Sequence, residues 1–429
     1  MTEGKSLDLD RTVMELVVSD DLSKKKQLAK RIRDVAREEG VYPCSINEFY
    51  VARGRGRFDG FTVPAINLRS MTYDLARSIF RVAKRNNSGA FIFEIARSEI
   101  GYTGQSPAEY SDVVLAAALK ESYSGPVFVQ GDHFQVNAVK FKENSDKEME
   151  GLKALIRDAI ESGFYNIDID SSTLVDLSQR DVKKQQLPNC EVCAELTRFI
   201  RGIEPQGITV SVGGEIGEIG HQNSTPEDLH GFMAGLKERL PVGFVGISKI
   251  SVQTGTTHGG VVLPDGSVAQ VNLDFNTLKT LSEIARREYG LAGAVQHGAS
   301  TLPPEAFHKF VECGTAEVHL ATEFQNMIYE SKHFPADLKK KMYEWLKVNA
   351  ASEAKQGETE EQFLYKTRKK ALGPFKKDIM SLPQKTRDAI AAEIENKFDF
   401  LFKQLNAVNK SDLVKKYVRS TSASHTSSV

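Results

Sequence analysis

One rhythm constrains this chain more than any other feature. Eight short β-branched or apolar runs recur between residues 61 and 323, and amphipathic stretches separate most of them. The runs are FTVPAIN (61–67), GAFIFEIA (89–96), PVFVQGDH (126–133), YNIDIDSS (165–172), ITVSVGGEIG (208–217), KISVQTG (249–255), GAVQHGAS (293–300) and AEVHLATE (316–323). Between them lie segments such as YDLARSIFRVAKRN and MEGLKALIRDAIESG. The second carries Leu152, Leu155, Ile156 and Ile160 on one face before a glycine stop. Alternating strands and helices argue a parallel sheet, and eight units in about 270 residues predict an α/β fold closed as a (β/α)8 TIM barrel. An open doubly wound sheet is the competing arrangement, but no GxGxxG joins a first strand to its helix.

Both ends fall outside this rhythm. Residues 1–45 carry Leu22, Leu28, Ile32 and Val35 at helical spacing, which predicts an N-terminal helical extension. ARGRGRFDG (52–60) follows; it lacks the Gly-Lys-Ser/Thr ending of a phosphate loop and reads as a flexible approach to the next strand. Beyond residue 330 the strand runs stop. SKHFPADLKKKMYEWLKVNAAS and TRDAIAAEIENKFDFLFKQLNAV are helical patterns forming a C-terminal helical appendage of two or three helices. In the second, Ile390, Ile394, Phe398, Leu401 and Leu405 make an apolar stripe suited to core or subunit contact. The expected division is an extension and Gly/Arg loop at 1–60, the barrel at 61–330, the helical appendage at 331–418 and a disordered polar tail at 419–429.

Composition removes several partners. Lys plus Arg number 56 and Asp plus Glu 57, so no net field favours nucleic acid or an acidic membrane. No apolar run reaches the roughly 18 residues of a membrane span, and the N-terminus lacks the basic-then-apolar pattern of a secretory signal. Four cysteines make no disulfide framework. Cys190 and Cys193 form a CxxC on a helical pattern, with no second pair to complete a zinc site, and read as small residues on one helix face. A reducing cytoplasm fits this usage.

In a barrel, chemistry gathers where the strands end. The third run ends in Gly-Asp-His (Asp132, His133), the fourth carries Asp168 and Asp170, and the fifth ends in GGEIGEIGH with Glu215. The sixth runs into GTTHGG with His258, and the seventh ends in QHGAS with His297. Three of nine histidines thus stand at strand ends beside acidic groups, a donor set that Zn2+ takes with an open fourth position. Asp132 and His133 are neighbours and reach one mouth only where strand alternation lapses, so the chain is expected to leave the strand there. The glycines of His258-Gly259-Gly260 and His297-Gly298 leave backbone amides open to an anion, and Ser300 adds a hydroxyl near the start of the following helix.

These patches resemble the class II fructose-bisphosphate and tagatose-bisphosphate aldolases, zinc-dependent (β/α)8 lyases. The likeness is carried in order by FTVPAIN, GDH, DIDSS, GEIG, GTTHG, QHGAS and VHLATEF. It implies that His133, His258 and His297 hold one catalytic Zn2+, with Asp170 and Glu215 at a second or displaced metal position. It also implies Asp132 as the acid/base that moves the C4 hydroxyl proton as the C3–C4 bond breaks. Asn67, Gly259, Gly298, Ser300 and His319 fall at substrate- or phosphate-binding positions, with room for a monovalent cation beside the glycine loops. The implied activity is aldol cleavage or formation of a ketose phosphate or bisphosphate through a metal-stabilised enediolate, in a homo-oligomer of two or more chains.

The substrate half of the pattern is altered. The mobile-loop Glu after the fifth strand is Asn223 here, within GHQNSTPED, and an amide cannot take a proton. Glu218, His221 and Glu227 are candidates to replace it. The substrate-binding Asn of the last strand is His319, and a phosphate-contacting Ser after the second is Ala96, beside Arg97 and Ser98. The Arg that reaches the distal phosphate in relatives has no placeable match in the C-terminal helices. Two other readings stay open: a metal-dependent sugar epimerase or isomerase, with His319 and His221 as extra acid/base groups, and a non-catalytic partner subunit that kept barrel and metal. A Schiff-base aldolase through Lys249 is disfavoured, because Lys249 starts its strand, away from the mouth.

Overall fold

The computed structural model describes residues 7–217, 222–255 and 273–418. Nine strands form one parallel sheet: β1 (Val41–Cys44), β2 (Val63–Asn67), β3 (Ile92–Ala96), β4 (Gly125–Gln135), β5 (Asn166–Asp170), β6 (Ser211–Gly217), β7 (Lys249–Val252), β8 (Ala294–Gln296) and β9 (Glu317–Leu320). Strands β2 to β9 close on themselves, because β9 pairs with β2 and β4 with β5. They are the eight runs of the sequence, and the fold is the expected (β/α)8 barrel with helical extensions. β2, β3 and β5 are buried along their whole length, as parallel strands covered by helices must be. The covering helices start and stop on local chemistry. Ser106 accepts from the Glu109 N–H ahead of Pro107, Thr225 and Asp228 cap each other, and Gly290 at φ 68° ends Phe275–Tyr289.

Part of the N-terminal extension is not helical. Gly40, at φ 71°, stops the helix Leu22–Glu38, and residues 41–44 form β1. β1 pairs with β4 from Gly125 to Phe128, on the edge that β5 takes only from Gln130 onward. Asn166 seals this joint. Its amide donates to the Cys44 and Val129 carbonyls at 3.2 and 3.0 Å, and its Oδ1 accepts from the Ile46 N–H at 2.9 Å. The helix Asn47–Gly54 then covers the floor of the barrel and buries Phe49, Tyr50 and Arg53 completely. Residues 52–54, expected in a flexible loop, are its last turn. Gly54 is required there, since a Cβ would lie 2.0 Å from the Gly290 carbonyl oxygen.

The C-terminal appendage has more helices than expected: Ala336–Asn349, Glu360–Thr367, Lys376–Met380, Gln384–Gln404 and Ser411–Tyr417. Gln384–Gln404 packs on Thr72–Arg85, itself one of the barrel's covering helices. Ile390, Ile394, Phe398, Leu401 and Leu405 are all buried in that contact and in the common core. Each such burial contributes about 1.5–3 kcal/mol. The stripe is therefore intramolecular core and offers nothing to a second subunit. Buried Arg387 and Asp74 pair across the same contact at 3.3 Å. No helix among the described residues is long and apolar enough to cross a membrane, and the 419–429 tail lies outside the described residues.

Candidate active site

The site begins with an irregularity in β4. The strand does not end at His133 but runs on to Gln135. Gly131 stands opposite Ile167 and Phe134 opposite Ile169, so three steps on β4 match two on β5. This is a β-bulge, and His133 occupies it at φ 40°. The bulge, not an exit from the strand, lets Asp132 and His133 reach the same mouth. Gly131 makes room for it: a Cβ there would lie 2.5 Å from the Phe134 ring. A left-handed non-glycine costs about 1–3 kcal/mol, which the contacts of His133 offset. Its Nδ1 lies 3.1 Å from Asp170 Oδ2 and 3.1 Å from Glu215 Oε2.

Asp132 sits among three imidazoles. Its Oδ1 is 3.8 Å from His133 Nε2, 3.8 Å from His297 Nδ1 and 3.0 Å from His319 Nδ1. The ring centroids of His133 and His297 are 4.0 Å apart, and those of His297 and His319 are 4.1 Å apart. The Ser251 hydroxyl lies 2.9 Å from His297 Nε2 and leaves Nδ1 facing Asp132.

Beneath the mouth lies a charged layer that sequence reasoning largely missed. Lys249 Nζ contacts Asp168 Oδ2 at 2.9 Å, Glu317 Oε1 at 2.5 Å and Gln130 Oε1 at 2.7 Å. His319 Nε2 lies 2.6 Å from Glu317 Oε1, and the Tyr50 hydroxyl donates to the same carboxylate. Burial alone would lower the Lys249 ammonium, but Asp168 and Glu317 overcome it and hold its pKa above the ordinary lysine value. A lysine so held is a cation, not an amine nucleophile, which agrees with setting aside the Schiff-base reading. Burial pushes the Asp168 carboxyl up to about 6 against the pull of Lys249. Burial also raises the Glu94 carboxyl well above the ordinary range. The available signal was a charged residue inside an otherwise apolar run, as in IFEIA (Glu94).

A cavity of about 560 Å³ opens above these groups. Asp132, His133, His297, Gly298, Ser300 and His319 are on its wall, and Asp170 and Glu215 stand behind His133. Asn67 is not on the wall; it donates to Glu99 Oε2 at 2.5 Å, and Glu99 in turn holds Arg69 at 2.7 Å. Ser300 does not serve the helix that follows it. Its Oγ accepts from the Glu323 N–H at 3.2 Å, at the start of Thr322–Glu330. His258, Gly259, Glu218 and His221 lie outside the described residues. Asn223 donates to Asp274 Oδ2 at 3.3 Å, and neither it nor Glu227 is on the wall. Three cations reach the cavity that no motif marked: Arg69, Lys140 and, from the C-terminal appendage, Lys369; Arg97 joins them. Lys369 makes no ion pair among the described residues, and burial followed by the nearby Arg69 lowers its pKa.

Residues 55–406 match the family model described as fructose-bisphosphate aldolase class-II. The chain belongs to that family. Over 93 residues it is 30 % identical to the D-tagatose-1,6-bisphosphate aldolase subunit GatZ of Escherichia coli strain SMS-3-5. That stretch is 20 % of this chain and 22 % of the relative, so the chain spans about a fifth of the length of the curated relatives it matches. A probable tagatose 6 phosphate kinase from Sinorhizobium meliloti 1021 superposes with a TM-score of 0.56 at 16 % identity, covering 81 % of this chain and 97 % of that one. The fructose-bisphosphate aldolase of Campylobacter jejuni gives 0.49 at 18 % identity, with 86 % and 97 % covered. At 16 % identity the likeness to the Sinorhizobium meliloti protein is one of fold.

Class II aldolases are metal-dependent, and the donor set of this member fits an ion. The ligand atoms of Asp132, His133 and His297 lie within 4.8 Å of one another, as do those of His133, Asp170 and Glu215. Imidazoles backed by carboxylates and hydroxyls are what Zn2+ sites are built from.

Proposed function

We propose that this protein is a zinc-dependent aldolase that cleaves or forms the C3–C4 bond of a ketose phosphate or bisphosphate. The observation that carries this reading is the meeting of Asp132 with His133 and His297 on one cavity wall, in a chamber that Arg69 and Lys369 also enter. His133 and His297, with His258, are the residues to hold the ion, and Asp170 and Glu215 brace His133. When bound, the ion withdraws electrons from the ketose carbonyl and eases carbanion formation next to it.

The chain's own groups do the rest. Asp132 takes the C4 hydroxyl proton as the C3–C4 bond breaks and returns it in the reverse direction. Held 3.0 Å from Asp132, His319 is placed to carry the second proton transfer that Asn223 cannot perform. The amide of Gly298, the Ser300 hydroxyl and the Lys369 ammonium give a phosphate fixed donors where charge develops. A cytoplasmic setting belongs to the same reading. With the apolar stripe buried in the chain's own core, homo-oligomer formation is supported by the family resemblance alone.

Two acid/base groups side by side, Asp132 and His319, also favour a second reading, a sugar epimerase or isomerase. The relatives named as aldolase subunits support a third, a partner chain without turnover. One experiment separates them: mass-spectrometric product analysis on ketose monophosphates, bisphosphates and free ketoses, with and without EDTA. EDTA-sensitive release of a triose or triose phosphate is the expected result. An equal-mass sugar points to the epimerase. Bound metal with no product across the panel points to the partner subunit.

A further inference from the structure

Four groups of metal-ligating side chains crowd the barrel mouth, and they differ in what neutralises them. Two of them, Asp132–His133–His297 and His133–Asp170–Glu215, surround His133 and belong to the ion discussed above. A third, Asp168–Glu317–His319, already has its cation in Lys249. The fourth is Glu94–Asp132–His319, whose ligand atoms lie within 4.8 Å of one another; within it the Glu94 carboxyl has His319 as its ion-pair partner and no Lys or Arg among the described residues. His319 Nδ1 lies 3.1 Å from Glu94 Oε2 and 3.0 Å from Asp132 Oδ1. Glu94 is completely buried, and its Oε1 has no hydrogen-bond partner among the described residues although the residue lines the cavity. An unpaired buried carboxylate oxygen is costly and calls for a cation or a donor.

We propose that Glu94, Asp132 and His319 form a second divalent-metal site, with Asp132 standing between it and His133 and His297. The proposal rests on the preceding reading in counting this site as the second, and it changes one role in that reading: with Nδ1 on the ion, His319 is a ligand and no longer carries the second proton transfer. Neighbouring groups are arranged as metal ligands require. Glu317 holds His319 Nε2 at 2.6 Å, so Nδ1 is the nitrogen left for the ion, and Gln130 donates to Glu94 Oε2 at 3.2 Å. Two carboxylates and one imidazole suit Mn2+ or Zn2+; Ca2+ asks for six to eight oxygens that this corner lacks. Because all three side chains line the cavity, the ion has a path of access and open positions facing a bound substrate.

Stoichiometry tests this without turnover. The full chain, stripped with EDTA and dialysed at pH 7.5, is titrated with Mn2+ while free ion is followed by electron paramagnetic resonance. Wild type is expected to bind two ions per chain. Glu94→Gln and His319→Asn should each bind one, with the lost site weakened at least about tenfold. His133→Ala/His297→Ala should also bind one. Circular dichroism and thermal melting confirm that each variant is folded. If Glu94→Gln and His319→Asn both still bind two ions, the site is wrong. If wild type binds one ion, kept in Glu94→Gln and lost in His133→Ala/His297→Ala, this proposal falls and the preceding reading stands. The opposite pattern keeps this site and removes the ion from His133 and His297.

Discussion

Replacing Lys249 with methionine tests the charge balance beneath the site. Lys249 is 1 % exposed, and its ammonium sits between Asp168 and Glu317. Methionine keeps most of the stem and removes the charge. Taking one partner from a buried pair costs about 3–5 kcal/mol, because the remaining charge is left unpaired. Here the two carboxylates fare differently. Glu317 keeps His319 at 2.6 Å, Gln130 at 2.7 Å and the Tyr50 hydroxyl. Among the described residues Asp168 keeps only His319, at 3.8 Å. One carboxylate rather than two is stranded, so the lower end applies: about 3 kcal/mol, a factor of roughly 100–200 in the folding equilibrium.

The assay is guanidinium unfolding followed by Trp345 fluorescence and by far-ultraviolet circular dichroism, with coincident transitions required before a free energy is taken. The pH dependence gives a second check. With Lys249 in place burial already holds the Asp168 carboxyl at about 6, and without the cation it rises further. A carboxyl whose native pKa exceeds its unfolded value, about 3.9, binds its proton first in the native state. Its burden on stability is thus relieved as pH falls through the native pKa and is full above it. The deficit of Lys249→Met relative to wild type should therefore shrink between pH 7.5 and pH 5. A deficit below about 1 kcal/mol at pH 7.5, or one that grows on acidification, would refute the assignment of Lys249 as the counter-charge.

Three further outcomes follow from the same geometry. Lys369→Ala should raise KM for a phosphorylated substrate about tenfold, the loss of one charge-assisted hydrogen bond, and leave kcat nearly unchanged in steady-state assays; an unchanged KM removes Lys369 from the phosphate site. Gly54→Ala should cost at least about 1–3 kcal/mol, read as a lowered melting temperature, since its Cβ meets the Gly290 carbonyl at 2.0 Å. Burial pushes the Cys190 and Cys193 thiols up to about 12, leaving roughly one thiolate in 10⁴ at pH 8. Iodoacetamide should therefore leave both unmodified in the native protein and label all four cysteines after unfolding, by mass spectrometry. Labelling of the native CxxC within minutes would reopen a redox role.

Much of the site was legible because its elements are local. Each barrel strand announces itself within five to ten residues, and once eight are counted the closure rule brings Asp132, His133 and His297 to one mouth. Asn67 looked equally well placed at the end of β2, yet Glu99 holds its side chain off the cavity wall. That partner lies on another element, and no spacing rule within β2 reveals it.

The residue pattern alone decided the strand rhythm, the helical ends and the polarity of the mouth, because side-chain periodicity is a property of short segments. Tertiary structure decided what depends on distant partners. β1 exists because β4 has a free edge below β5, and four hydrophilic residues from four strands, Gln130, Asp168, Lys249 and Glu317, are tolerable in the core only because they meet there. The bulge at His133 is visible only against its neighbour strand, and Lys369 reaches the cavity only because the appendage packs back on the barrel. Local sequence carries propensity, whereas buried charge is stable only with a partner, and partners are chosen by the whole fold.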